Sequence, residues 1–162
     1  MVHKVVSNTG PILHLTEINL RQALNIFPKI LIPEEVANEL RKSKVPIPKN
    51  CETKKLASES KDAVKVLANQ YNLDFGESEA IALALQEKSR MFFTDDLDAR
   101  EVARSYNLEV HGTVGIILRA FRDGVINKKT AIEKMKEIKT ASSLFITQDL
   151  IEETINAIKD YK

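Results

Sequence analysis

The sequence is poor in the features that most quickly reveal a protein's chemistry. Its one cysteine, Cys51, can form neither an internal disulfide nor a multi-cysteine zinc site, a usage that suits a reducing compartment. No stretch approaches the roughly 18 apolar residues of a membrane span. A strand-like segment begins too close to the N-terminus for a secretion signal, so the expectation is a cytoplasmic chain with no membrane contact. Lysine and arginine (24) balance aspartate and glutamate (23), leaving no global basic field to attract nucleic acid; any such surface must be local. Aromatic residues make up only 6% of the chain, and no interleaving of aromatic with basic residues suggests a base-stacking surface. His3, His14 and His111 are scattered, without the paired spacing of a zinc site. The nucleophile elbow G-x-S-x-G, the phosphate loop G-x-x-x-x-G-K-[ST] and the dinucleotide fingerprint G-x-G-x-x-G are all missing.

What is present is 162 residues, 43% of them hydrophobic, enough for one domain over 1–162 with a real core. Short apolar runs at Val5-Val6, Ile30-Leu31-Ile32, Met91-Phe92-Phe93 and Leu108-Glu109-Val110 read as parallel strands covered on both faces. A helix signal follows each of them: Asn8-Thr9-Gly10-Pro11, Pro33 before "EEVANELRKS", and Asp95-Asp96 before "LDAREVARSY", while Gly76 opens "GESEAIALALQEK". The stretch "CETKKLA" alternates weakly and reads as an edge strand after the loop marked by Pro46 and Pro48. Strands alternating with helices predict an α/β fold, a parallel sheet between helical layers with right-handed crossovers. Residues 126–162 read as a helical C-terminal extension.

In such sheets ligands bind beyond the carboxyl ends of the strands. The first end carries Ser7-Asn8-Thr9, which taken alone needs no more explanation than a helix cap. The end after "MFF" carries Thr94, Asp95, Asp96 and Asp98, more acid than a single cap requires. Glu39 sits at the margin of the inward face set by Val36 and Leu40. Glu77 and Glu79 flank the positive end of a helix that is apolar from Ala80 to Leu85. Were Glu39, Glu79 and an aspartate of the Asp95-Asp96 pair to converge, each carboxylate pair at about 5 Å would repel by roughly 3 kcal/mol at an effective dielectric near 20. Protons, an arginine such as Arg100, or a hard divalent cation would relieve that, and magnesium or manganese suits oxygen ligands.

Five stretches in order, "VVSNTGPILHL", "LIPEEVANEL", "GESEAIALAL", "FFTDDLDAREVAR" and "VHGTVGIILRAFRDG", resemble the PIN-domain superfamily. More narrowly they resemble a prokaryotic branch related to VapC toxins, over about residues 4 to 126. The resemblance implies a five-stranded parallel sheet in the order 3-2-1-4-5, and an acidic pocket that binds Mg2+ or Mn2+ and hydrolyses RNA phosphodiester bonds. Carried over by position, the metal-holding residues are Asn8, Glu39, Glu79 and Asp96, and the catalytic acids Glu39, Glu79, Asp95 and Asp96. Thr9, Thr94, Asp98 and Arg100 fall in supporting places.

This chain departs from the family pattern at Asn8, where PIN nucleases usually place an aspartate. An amide oxygen still ligates magnesium, but it contributes no negative charge and cannot act as a base. The alternative reading is therefore a catalytically weak or inactive PIN-like module that binds RNA or protein. A receiver-like phosphoacceptor, which also gathers aspartates at parallel-strand ends, expects its paired acids where this chain has Asn8. For substrate approach, the cations Arg41, Lys42, Lys44 and Lys49 follow the helix carrying Glu39. A toxin of the VapC kind further implies an antitoxin partner and a homodimer.

Overall fold

A computed structural model of the chain describes residues 4–162; His3 lies outside them. Five strands, β1 (Val5–Ser7), β2 (Ile30–Pro33), β3 (Cys51–Lys54), β4 (Met91–Phe93) and β5 (Glu109–His111), form one sheet. The order is β3-β2-β1-β4-β5, and every neighbouring pair is parallel. Among the described residues eight α-helices surround it: α1 (Thr9–Glu17), α2 (Glu34–Lys42), α3 (Ser58–Tyr71), α4 (Phe75–Gln86), α5 (Leu97–Ser105), α6 (Thr113–Arg122), α7 (Lys128–Ala141) and α8 (Gln148–Asp160).

The strands are apolar on both sides because both sides are covered. Val5, Ile30, Ile32, Met91 and Phe93 face a cluster completed by α1, α2 and α6 to α8. Val6, Leu31 and Phe92, one residue out of phase, face α3, α4 and α5. The tail joins the first cluster, burying Met135, Ile138, Ile151, Ile155 and Ile158, whereas Leu150 stays partly exposed. The "CETKKLA" stretch is the edge strand β3, as its weak alternation predicts. β5 begins one residue later than the apolar run suggests, because Leu108 turns into the α5 side of the core. Burial pushes the Cys51 thiol up to about 12, which makes it an inert packing residue.

The chain steps outward from β1 to β2 and β3, then crosses back to β4 and continues to β5. The strand order therefore reverses between β1 and β4, and the crevice for a ligand opens there. At that point the Asn8 N–H donates to the Phe93 carbonyl at 2.8 Å, so the ends of the two strands are tied together.

Candidate functional site

Both strand ends at the switch point turn into helices through side-chain caps. Asn8 caps α1, its Oδ1 accepting the Thr9 N–H at 2.9 Å while its Nδ2 donates to Thr94 Oγ1 at 3.3 Å. Asp96 caps α5, accepting the Ala99 N–H at 2.8 Å. The buried Thr94 hydroxyl also accepts the Asp96 N–H at 3.2 Å, so one hydroxyl holds the two caps in register. Capping explains these residues locally, but it leaves each with further lone pairs facing the crevice.

The crevice is a cleft of about 760 Å³ lined by Asn8, Glu39, Asp74, Glu77, Asp96 and Asp98, among others. Glu39 comes from α2 and accepts a short hydrogen bond from the Thr9 hydroxyl. Gly76 makes room for it, since a Cβ there would collide with the Glu39 carboxylate. Asp74 and Glu77 form a reciprocal capping box at the start of α4, Glu77 N–H to Asp74 Oδ1 at 2.7 Å and Asp74 N–H to Glu77 Oε2 at 3.0 Å. The positive end of α4 therefore holds the two acids on the cleft wall.

Asp95 is placed differently from its neighbour. Its Oδ1 accepts the Thr113 N–H at 2.7 Å, and its Oδ2 takes both the Thr113 hydroxyl at 2.5 Å and His14 Nδ1 at 2.7 Å. Burial opposes its ionisation, yet the hydrogen bonds from His14 and Thr113 outweigh burial and hold its carboxyl below the usual range. Asp95 thus pins the end of β4 to α1 and α6. Gly112 allows that approach, because a Cβ on it would meet Arg100 and lie 2.6 Å from Asp95 Oδ1.

Glu79 does not line the cleft. Its Oε2 accepts the Glu35 N–H at 3.1 Å, stabilising the first turn of α2 beside the acidic group. Burial raises its pKa first, opposed by that N–H, and the charges of Glu35, Glu34 and Glu39 add to the rise. Arg100 Nε donates to the Thr94 carbonyl at 3.3 Å, and among the described residues no carboxylate lies within ion-pair distance of its guanidinium. Arg41, Lys42, Lys44 and Lys49 are exposed, and none of them lines the cleft.

The cleft's acids feel one another. Burial raises the Glu39 carboxyl, the Thr9 hydrogen bond opposes this, and the charges of Asp74 and Glu35 add to the rise. Burial likewise pushes Glu77 up to about 7, with the Asp74 N–H opposing and Asp74 and Asp96 reinforcing. Glu77 binds its proton more tightly in the folded chain than in the unfolded one. Its contribution to stability is therefore fully present below about pH 4.5 and is lost as the pH rises through about 7. In chelator, Glu77→Gln should leave the melting temperature unchanged at pH 4.5 and raise it at pH 8 by about 3 °C. That corresponds to about 1 kcal/mol once the half-exposed carboxyl is discounted for solvent screening. Equal shifts at both pH values would refute the raised proton affinity of Glu77 in the folded chain.

Three cleft features lay beyond the sequence reading. They are His14 as the partner of Asp95, Asp74 as a wall residue, and an apolar rim formed by Leu97, Leu150 and the 93% exposed Phe145. Helical spacing was a usable signal for Glu77, since residues two apart cannot share a helix face and only one of Glu77 and Glu79 can turn to the cleft.

A family model described as DUF3368, PIN domain, matches residues 4–160. Searches of curated proteins and of solved structures found no match to the chain.

Proposed function

The chain belongs to the PIN-domain family, whose fold is nuclease-like, and we propose that it is a Mg2+- or Mn2+-dependent ribonuclease acting in the cytoplasm. One observation carries this reading: carboxylates from α2, from the start of α4 and from the end of β4 line a single cleft at the point where the strand order reverses.

The donors are all hard oxygens, which fits magnesium or manganese. Among the described residues no three carboxylate, imidazole or thiol groups form a ready-made cage. Magnesium keeps several waters and takes one or two carboxylates together with substrate phosphate, so it does not require such a cage. Glu39 and Asp96 would hold the ion, with Glu77 and the Asn8 amide oxygen contributing directly or through water. When bound, the ion supplies electrophilic assistance to the phosphodiester and a more acidic water nucleophile.

The remaining work belongs to the chain. The Thr9 hydroxyl fixes Glu39, the Ala99 N–H fixes Asp96, and Thr94 sets the spacing between Asn8 and Asp96. Asp95, with both oxygens engaged, is a positioning residue that holds the strand end on which Asp96 stands. Glu79 steadies the helix carrying Glu39. The exposed Arg41, Lys42, Lys44 and Lys49 give the substrate backbone a basic approach.

Incubating the purified chain with RNA in magnesium, manganese and chelator is the test. Cleavage that depends on the cation supports the reading, and cleavage that persists in chelator refutes it. The second reading, a silent binding module, draws on Asn8 bringing no charge to the cleft while its amide also serves Thr9 and Thr94. It predicts no manganese binding at millimolar concentration, with both binding and cleavage appearing in Asn8→Asp. The active reading predicts that Asn8→Asp tightens manganese binding about 10-fold by adding one charged ligand at a helix N-terminus. A toxin role of the VapC kind, with an antitoxin and a homodimer, is the narrower form of the nuclease proposal. A small antitoxin-like gene immediately upstream would support it.

A further inference from the structure

Beside the acidic cleft runs a second groove of about 370 Å³. The two share Leu97, Phe145 and Leu150, so they form one continuous surface. Asp95 lines both, the other acids lie on the cleft side of this apolar rim, and Arg100 and His111 lie on the groove side. Phe145 is 93% exposed and Leu97 71%, although large apolar side chains are ordinarily buried.

The exposure of Phe145 is not that of a slack loop. The connection between α7 and α8 is tied to α1 by Ser143, whose N–H and hydroxyl both donate to Glu17 Oε1 at 2.9 and 2.8 Å. It is tied to its own helix by the Ser142 hydroxyl, which donates to the Ile138 carbonyl at 2.5 Å. Ile146, the next residue, is buried in the core. A segment anchored on both sides of Phe145 thus presents one ring to solvent at the lip of the cleft. Across the groove, Arg100 is half-buried and, among the described residues, its guanidinium is hydrogen-bonded through Nε alone. Its terminal N–H groups are left for an anion.

An apolar ring, an adjoining slot and an uncommitted guanidinium next to a phosphodiester site are complementary to a nucleotide with an unpaired base. We propose that this groove takes the nucleotide neighbouring the scissile phosphate of a single-stranded nucleic acid. Phe145 stacks on its base and Arg100 holds its phosphate. This deepens the ribonuclease reading and rests on it, since it names the two residues beside the same site that hold the substrate's neighbouring nucleotide. A base paired in a duplex offers no free face to the ring, so the same contact discriminates against double strands.

The chain contains no tryptophan, so Phe145→Trp installs a single fluorescent reporter at the lip. The probes are a phosphorothioate oligoadenylate, whose backbone resists hydrolysis, a matched oligomer lacking bases, and a duplex of the same length, each titrated in magnesium. The single strand should quench the reporter, whereas the abasic oligomer and the duplex should not. Phe145→Ala should weaken single-strand binding by about 10- to 100-fold, with Phe145→Trp restoring wild-type affinity. Arg100→Ala should flatten the dependence of log affinity on log salt by about 0.7, the share of one phosphate on a single strand. Wild-type affinity in Phe145→Ala, equal binding of the abasic oligomer, or a change confined to self-association would each overturn the proposal. Base-dependent quenching by a chain that leaves ordinary RNA intact would remove the nuclease reading and keep this one. Cleavage with an affinity indifferent to Phe145 would do the reverse.

Discussion

Asp95→Ala should be the most destabilising single substitution at the switch point, costing about 3 to 5 kcal/mol, because it removes one partner from a buried polar cluster and strands the others. Three donors lose their acceptor at once: His14 Nδ1, the Thr113 N–H and the Thr113 hydroxyl. The side chains of His14 and Asp95 are only 11% and 9% exposed, so water does not replace the lost bonds. Against the roughly 5 to 15 kcal/mol that hold an ordinary domain together, this is a large fraction. For a chain of this size it lowers the melting temperature by about 10 °C. Asp95→Asn should cost much less, because its amide oxygen still accepts the Thr113 N–H and its NH2 can donate to the Thr113 hydroxyl. Thermal denaturation of both variants measures this. His14→Ala combined with Asp95→Ala should fall short of the sum of the single losses, since the two groups share one interaction. Losses of equal size for alanine and asparagine would mean that the negative charge, rather than the hydrogen-bond cluster, holds this corner.

The architecture was legible because it rests on short-range signals. The runs at Val5-Val6, Ile30-Leu31-Ile32 and Met91-Phe92-Phe93 are uninterrupted, as strands covered on both faces must be. The helices after them start at recognisable caps and prolines. Helix α3 gave no comparable signal: its preceding residue, Ala57, makes no side-chain cap, and only Val64 and Leu67 are buried among charged and polar neighbours. The 3-10 turn Arg21–Ile26 was equally silent, having no cap of its own.

Within the site, legibility follows sequence distance. The density of acids after β4 is visible as letters, and so is the Asn8 departure from an aspartate. Both adjacent aspartates line the cleft, and which of them has its oxygens tied up within the fold is decided by His14 and Thr113, residues far from both in the chain. The resemblance carried Glu79 into the metal set, whereas helix geometry turns Glu77 to the cleft and Glu79 to the start of α2. Phe145 was invisible for the same reason. Nothing in "TASSLFITQD" shows that Ser143 binds Glu17 and thereby fixes the ring beside Asp96's cleft.

The separation of Asp96 and Glu39 from Glu79 leads to the prediction with the widest range. Glu39→Gln together with Asp96→Asn should lower metal-dependent RNA cleavage by about 10²- to 10⁴-fold, the scale on which loss of charge that positions and activates the reacting groups is felt. Both replacements keep the local hydrogen bonds: the amide oxygen introduced by Glu39→Gln can still accept from the Thr9 hydroxyl, and the one introduced by Asp96→Asn can still cap α5 through the Ala99 N–H. Folding should therefore be nearly unchanged, and melting temperatures within about 3 °C of the parent would tie the lost activity to the cleft. Glu79→Gln retains its bond to the Glu35 N–H and removes a charge that only neighbours Glu39, so its effect should be about 10-fold or less, in the range of an outer-shell partner. Single-turnover cleavage at saturating manganese measures both the double and the single variant. Should Glu79→Gln fall as far as the double variant, Glu79 would have to swing from the start of α2 into the cleft when the ion binds, and Glu39 and Asp96 would no longer suffice as its holders.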